Sequence, residues 1–320
     1  MIEEEILRTS LPHVLKTLEV EWPYNRYSGK VRESFSLPNA QRLVVTTDRL
    51  SAFDVVLTAL PYKGQVLNQL SAFWFEKTTD IIPNHLLEVP DPNVSLVREC
   101  NPLPVEVIVR GYITGSTKTS LWTLYAAGHR EIYGYHFPDG LKKNDPLPEP
   151  IITPTTKAGP GEHDERLTCS AVVERGFLDA HTWERVQEAA LALFKRGQDV
   201  ARAAGFCLVD TKYEFGRAPD GTLMLIDEVH TPDSSRFWRA DEMKARQPRS
   251  WDKEFVRLWY SSQGYRGDGP IPQLPQDIIV EASRRYITLF EGLTGQQFKP
   301  ATYPAGPRIR GLLRRYLETP

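Results

Sequence analysis

Gly205 to Trp238 reads G-F-C-L-V-D-T-K-Y-E-F-G-R-A-P-D-G-T-L-M-L-I-D-E-V-H-T-P-D-S-S-R-F-W. Two apolar, β-prone segments flank Pro219-Asp220-Gly221. That is a hairpin signal with a mechanism: proline presets φ, and glycine takes the left-handed position. Side chains alternate along a strand, so Asp210, Lys212 and Glu214 are expected to point one way and Val209, Thr211, Tyr213 and Phe215 the other. The second strand runs out in Asp227, Glu228 and His230, and a polar loop with Asp233, Ser234, Ser235 and Arg236 follows. Two strands thus bring acids and a lysine to one place, as Mg2+ and phosphate handling require. The same charges also suit the solvated face of an amphipathic hairpin. Against that, Phe206 and Leu208 are expected on the face of Asp210, so this face begins buried and becomes charged.

Upstream, Asp179 to Ala204 reads as a helix with Val186, Ala190, Leu193, Gly197 and Val200 on one face, ended by Gly205. Pro104 to Arg110 alternates, placing Val105, Val107 and Val109 on one face and Glu106, Ile108 and Arg110 on the other. Gly111, Gly115 and Ser116 come next; an arginine at a strand end beside a glycine turn and a serine suits a phosphate monoester. An edge arginine paired with a nearby acid suits the same spacing. Near the start, Gly29 sits where a strand turns, and Lys30 and Arg32 alternate onto one face, a plausible cover for a polyphosphate. Thr155 to Glu165 carries Lys157, His163 and Asp164 on a Gly/Pro-rich loop; His163 suits either a metal site or a solvated position.

The remaining expectations are coarser. Thr9 to Glu19 reads as a short helix with Leu11, Leu15 and Leu18 at helical spacing, and Val66 to Lys77 as an amphipathic one. Arg42 to Thr47 and parts of Leu86 to Val97 suit strands. Lys118 to Ala127 reads as a helix closed by Gly128. Prolines mark Pro138 to Pro160 as loop. Ser250 is expected to cap a helix over Trp251 to Tyr260, and Asp277 to Leu293 is a further helix. The basic tail, Arg308 to Arg315, suits a solvated end.

The chain has 320 residues, 41% hydrophobic and 25% charged, enough for a core in two lobes. Its net charge of −2 gives no basic field for nucleic acid or an anionic membrane. No run approaches a membrane span, and the acidic start is unlike a secretory leader. Three widely spaced cysteines argue against a disulfide framework and for a cytoplasmic location.

Together G-K-V-R-E-S-F at Gly29 to Phe35, P-V-E-V-I-V-R-G-Y-I-T-G-S at Pro104 to Ser116, L-V-D-T-K-Y-E-F-G at Leu208 to Gly216 and I-D-E-V-H-T-P-D-S-S-R-F-W at Ile226 to Trp238 resemble the SAICAR synthetase family of purine biosynthesis. The resemblance implies a mixed α+β, α/β fold, related to ATP-grasp and kinase-like folds. In it a β-rich ATP-binding lobe (1–104) packs on a larger α/β lobe (105–320). It implies a ligase joining L-aspartate to the carboxylate of carboxyaminoimidazole ribonucleotide (CAIR), with ATP and Mg2+ and no nucleic-acid or membrane partner. By match of motif, Glu214 and Asp227 would hold Mg2+ and act in catalysis with Lys212. Gly29, Lys30, Arg32, Lys157, Lys212 and Glu214 would contact ATP. Arg110, Ser116, Asp164, Asp233, Ser235 and Arg236 would contact the substrate. A kinase is disfavoured by the lack of H-R-D and D-F-G motifs. A non-catalytic nucleotide sensor would be expected to lack one of Lys30, Glu214 or Asp227.

Overall fold

A computed structural model describes residues 2–117, 120–157, 164–243 and 248–318. The chain begins with helix α1 (Glu4–Ser10). It then builds β1 (Arg26–Ser28), β2 (Arg32–Leu37), β3 (Gln41–Thr46), a ribbon of β4 (Arg49–Ala52) and β5 (Val55–Ala59), helix α2 (Lys63–Lys77), β6 (Leu86–Asp91) and β7 (Val94–Arg98). Next come β8 (Asn101–Tyr112), α3 (Leu121–Ala126), a small ribbon of β9 (Glu131–Ile132) and β10 (Tyr135–His136), and β11 (Pro146–Thr156). The last part holds α4 (Cys169–Glu174), α5 (Ala180–Ala203), β12 (Phe206–Arg217), β13 (Leu223–Ile226), β14 (Ser235–Arg239), α6 (Glu254–Ser262), α7 (Gln276–Thr294) and α8 (Ala305–Glu318). Two five-stranded antiparallel sheets result. The first has the order β1-β2-β3-β7-β6; the second runs β11-β8-β12-β13, with β14 also on β12. Among the described residues no helix is long and apolar enough to cross a membrane.

β12 organises the second sheet. One edge pairs with β8, setting Asp210 opposite Arg110, Lys212 opposite Ile108 and Glu214 opposite Glu106. The other edge is shared. β14 takes Phe206 to Thr211, and β13 takes Glu214 to Arg217. The loop joining β13 to β14, residues 227–234, fills the gap between them, and the Lys212 N–H donates to Ser234 O at 3.0 Å. The expected hairpin turn is present: Gly221 is left-handed at φ +84, and its N–H reaches Ala218 O at 2.9 Å. A bulge on β12 between Leu208 and Asp210 corrects one expectation. The extra residue shifts the two-residue alternation, so Phe206 and Leu208 do not simply continue the face of Asp210.

The helix over 180–203 forms as expected. Asp179 caps it through the Thr182 N–H at 2.9 Å, and left-handed Gly205 (φ +76) follows its end. It packs on β12, and Gly197 lets it come close: a Cβ there would meet His230 Cε1 at 2.5 Å and Leu208 Cδ2 at 2.6 Å.

Other expectations fail for local reasons. The helix expected over Thr9 to Glu19 is absent. α1 lies earlier, and after one 3-10 turn carrying Pro12 the Leu15 N–H donates to the Asp48 carboxylate at 2.6 Å. Its carbonyl accepts from the Asp48 N–H at 2.9 Å, so Leu15 is tied to Asp48 instead of a helical turn. Part of the proline-rich segment, Pro146–Thr156, is strand β11. It lies on a sheet edge, where a missing N–H costs no ladder bond. Ser250 does not cap α6. The Asp252 carboxylate accepts from the Glu254 N–H at 2.7 Å, while Ser250 bridges to Trp238. α3 begins after Ser120; residues 118 and 119 lie outside the described residues.

The basic tail is no solvated end. α8 buries Ala305, Ile309, Leu312 and Leu313 with Phe35, Leu43, Val45, Val94 and Leu96 of the first sheet, and Leu15 and Leu18 join them. Trp74 of α2 belongs to the larger core with α5, α7 and the second sheet. The two cores therefore do not separate at one chain position.

Two glycine substitutions test this packing. Gly197→Ala should lower stability by about 1–3 kcal/mol, because overpacking outweighs the gain in helix propensity. Gly311→Ala, in α8 with nothing within 4 Å of an added Cβ, should raise it by about 0.5–1 kcal/mol. Urea unfolding of both variants measures the two signs.

Candidate active site

One cavity of about 1030 Å³ lies between the two sheets, and residues from both line it. On the first-sheet side, the β1–β2 turn presents Gly29, Lys30 and Arg32. Arg49 holds this turn from behind: its guanidinium donates to Gly29 O and Lys30 O, each at 2.8 Å. Gly29 is not in the left-handed region, and a Cβ there would meet only ordinary contacts, so the turn does not depend on glycine for its conformation. Lys30 pairs with Asp54 at 2.8 Å. Arg32 crosses the cavity to Asp227 and, at 3.2 Å, to Glu228.

On the opposite wall Lys212 sits between two acids, 2.6 Å from Glu106 and 2.7 Å from Glu214. The register explains this, since Glu106 is directly across from Glu214 on β8. Glu214 also accepts from Lys157. Burial alone would raise the Glu214 carboxyl, but the two ammonium groups hold it at about 2. Asp227 behaves oppositely. Burial pushes it up to about 6, with Glu214 and Glu228 adding to the rise against the pull of Arg32. Asp227 is also left-handed at φ +70, a sparsely populated conformation for a non-glycine residue. Among the described residues no group of three or more His, Cys, Asp or Glu could hold a metal unaided. Two carboxylates at the mouth of a cationic cavity suit a cation that takes its remaining ligands from phosphate oxygens and water.

A second cationic cluster adjoins this cavity. The Asp210 carboxylate accepts from Arg236 at 2.5 Å and Arg110 at 3.4 Å, and Arg110 also donates to Thr153 Oγ1 at 2.8 Å. Glu254 accepts from Ser116 Oγ at 2.6 Å, pairs with Arg257 at 2.5 Å and faces Arg236 at 3.7 Å. Arg110, Arg236 and Arg257 thus share the two carboxylates of Asp210 and Glu254. Asp252 also acts on Arg236, and Arg236 Nε is buried without a hydrogen-bond partner. Arg257 also lines the main cavity and joins the two sites.

The remaining expected residues fall as follows. Lys157, Asp164 and Asp233 line the main cavity. The Asp233 carboxylate is buried against Lys63 at 2.7 Å and the Tyr286 hydroxyl at 2.8 Å, so it anchors its loop as well. Ser235 is turned to the Thr211 hydroxyl at 2.7 Å and does not line the cavity. His163 lies outside the described residues. Sequence reading placed Glu228 among the converging acids without giving it a role, and missed Glu106, Lys253, Glu254 and Arg257. For Glu106, strand alternation with Arg110 was a signal; the others reach the site only through tertiary contacts.

The profile of the SAICAR synthetase family matches residues 25–272. A Legionella pneumophila (strain Paris) protein named phosphoribosylaminoimidazole-succinocarboxamide synthase is 47% identical over 310 residues, covering 93% of this chain and 98% of that protein. A Bacteroides thetaiotaomicron protein of the same name is 46% identical over 301 residues, 91% and 94% of the two chains. Among solved structures, the SAICAR synthase from Saccharomyces cerevisiae complexed with SAICAR matches with a TM-score of 0.78 at 33% identity, over 89% of this chain and 99% of that one.

The second cluster gives a pH prediction. Burial would raise the Glu254 carboxyl, but Arg236 and Arg257 hold it at about 2. A depressed carboxyl stabilises the fold above its unfolded pKa of about 4.3 and loses that contribution as pH falls toward the folded value. The stability gap between wild type and Glu254→Gln should therefore be full at pH 7 and shrink below about pH 4.5, by on the order of 3 kcal/mol at pH 2. Urea unfolding at pH 7, 4 and 3 checks the trend; a gap that widens with acid contradicts it.

Proposed function

The chain belongs to the SAICAR synthetase family, and on that premise we propose how its cavity joins L-aspartate to the carboxylate of CAIR at the expense of ATP. The activity is that of an ATP-dependent carbon–nitrogen ligase of purine biosynthesis. The observation that carries the residue assignments is the pairing of two anion-seeking sites. One is the ring of cations around Glu214 and Asp227; the other is the arginine cluster with its three guanidinium groups and unpartnered Arg236 Nε.

A carboxylate is a poor acyl donor because its leaving group would be oxide. In the proposed route a CAIR carboxylate oxygen attacks the γ-phosphorus and ADP departs. The aspartate amine then attacks the acyl carbon, phosphate leaves and the nitrogen loses a proton. Catalysis is then chiefly positioning and charge neutralisation. Lys30 and Arg32, on the Gly29 turn, cover the ATP phosphates, and Lys157 reaches them from its loop. Lys212 stands by the γ-phosphate and the reacting carboxylate. Glu214 and Asp227 would hold Mg2+, which neutralises charge building on the β- and γ-phosphates. Arg110, Ser116 and Arg236 grip the ribonucleotide phosphate, with Asp233 and Ser235 shaping the loop beside them and Asp164 at the cavity wall. The first-sheet lobe, built from strands within residues 1–104 and backed by α8, covers the nucleotide, and the second sheet within residues 105–320 carries the substrate side. A cytoplasmic location fits Cys100, Cys169 and Cys207, all of them free thiols.

Sustained ADP release should require ATP, CAIR and aspartate together; multiple-turnover release at an unchanged rate without aspartate contradicts the ligase reading. Arg110→Ala should raise the KM for CAIR by the equivalent of about 1.5–3 kcal/mol, the size of a lost charge-assisted hydrogen bond, and leave that for ATP near wild type. A raised ATP KM with CAIR unaffected would reverse the assignment. With ¹⁸O in the CAIR carboxylate, one label should appear in inorganic phosphate; unlabelled phosphate excludes the acyl phosphate.

Glu214→Gln and Asp227→Asn keep shape but remove charge. Each should still fold, Glu214→Gln with reduced stability because Lys157 and Lys212 lose their shared carboxylate, and each should retain CAIR binding and lose orders of magnitude in turnover. The double variant should lose much less than the sum, because residues acting as one unit are not additive. Turnover titrated against Mg2+ concentration measures this, and a wild-type curve for either variant removes that residue from the metal site.

A further inference from the structure

Three substrates must meet in this cavity, and the residue assignments above cover two of them. The third, L-aspartate, carries two carboxylates and must bring its amine to the CAIR carboxylate. That carboxylate has to lie between the Glu214/Asp227 end and the arginine cluster, since the ribonucleotide's phosphate is held by the latter. The carboxylates of aspartate therefore need a cation near that junction that is not already neutralised.

The charges along the cavity wall single one out. Among the described residues, every other lysine and arginine lining the cavity holds an ion pair with a protein carboxylate. Lys253 lines the same wall, and among the described residues its ammonium has no hydrogen bond or ion pair, Asp233 and Glu228 acting on it only from further off. Its backbone is fixed where the two sites join. The Lys253 N–H donates to Pro232 O at 3.0 Å, beside the Asp233-Ser234 turn. The next residue is Glu254, which holds Ser116 and Arg257. One helical turn on, Arg257 lines the cavity too, and its N–H donates to Lys253 O at 3.0 Å. Burial pushes the Lys253 ammonium down, and the carboxylate of Asp233 only partly offsets this. An ammonium kept in a half-buried place without a partner is costly, and an incoming carboxylate removes that cost.

We propose that Lys253 receives a carboxylate of the aspartate substrate and so positions its amine for attack. This rests on the ligase reading above. It adds a determinant of amine recognition, because an amine lacking that carboxylate leaves Lys253 unpaired.

Steady-state kinetics on the full chain test it, with Lys253→Met and Lys253→Arg and each substrate varied in turn. In Lys253→Met the KM for aspartate should rise at least tenfold, while those for ATP and CAIR stay within about twofold. Lys253→Arg should recover part of the loss, because it restores the charge with altered geometry. A purely structural role would move all three constants together or none. An aspartate KM that is unmoved in Lys253→Met, or a CAIR KM that rises in its place, overturns the assignment. If Lys253→Met does not fold, Lys253→Gln takes its place with the same expectation. Wild-type protein that releases no ADP with all three substrates overturns the ligase reading and this inference with it. Wild-type turnover with an unmoved aspartate KM in the variants overturns this inference alone.

Discussion

The hydrogen bond from the Lys212 N–H to Ser234 O fixes the geometry on which the cavity depends. β12 pairs with β8 from Asp210 to Arg217, while its other edge is divided between β13 and β14. A strand edge left unpaired in a buried sheet would strand polar groups. The chain instead leaves β13, crosses the gap as residues 227–234 and returns as β14. That detour sets Asp227, Glu228 and Asp233 beside the middle of β12, where Lys212 and Glu214 already point. Lys63 and Tyr286 hold Asp233 from the far side, and Tyr213 bonds His230. Acids that are distant in sequence meet because one loop completes one edge.

The charges are then balanced in a way that makes sense only if ligands displace some of the pairs. Taking ions out of water is costly, and partners offset that cost incompletely. Here Arg32 lies on Asp227 and Glu228, and Lys157 and Lys212 lie on Glu214. In the proposed complex the cations turn to phosphate oxygens and the acids to Mg2+. The same groups stabilise both states, so the cavity need not fold around uncompensated charge while it waits for substrate. The arginine cluster differs: it keeps a buried guanidinium nitrogen, Arg236 Nε, without a hydrogen-bond partner.

Much of this was legible in the sequence where a local rule decides. Pro219-Asp220-Gly221 specified the hairpin, and Asp179 and Gly205 bounded α5. The long motifs held Arg110, Lys212, Glu214, Asp227 and Arg236, which the fold brings into the two clusters. Legibility ended where a distant partner decides. Leu11, Leu15 and Leu18 have helical spacing, yet Leu15 is bound by Asp48. The prolines of β11 suggest loop unless its edge position is known, and the bulge before Asp210 cannot be heard in a two-residue rhythm. The arginines of α8 look solvated until its other face is seen against the first sheet. In the site, Glu106, Lys253 and Arg257 were hidden for the same reason: their roles depend on register and packing, not on their neighbours in the chain.

The claim that ligands exchange partners with the protein's own ion pairs is tested most directly by crystals of the full chain grown with Mn2+ and a non-hydrolysable ATP analogue. Anomalous diffraction at the manganese edge locates the metal. The account predicts a Mn2+ peak bridging Glu214, Asp227 and phosphate oxygens, with Arg32 and Lys157 moved from those carboxylates onto the phosphates. A peak elsewhere, or phosphates bound while Arg32 still holds Asp227 and Lys157 still holds Glu214, would contradict it.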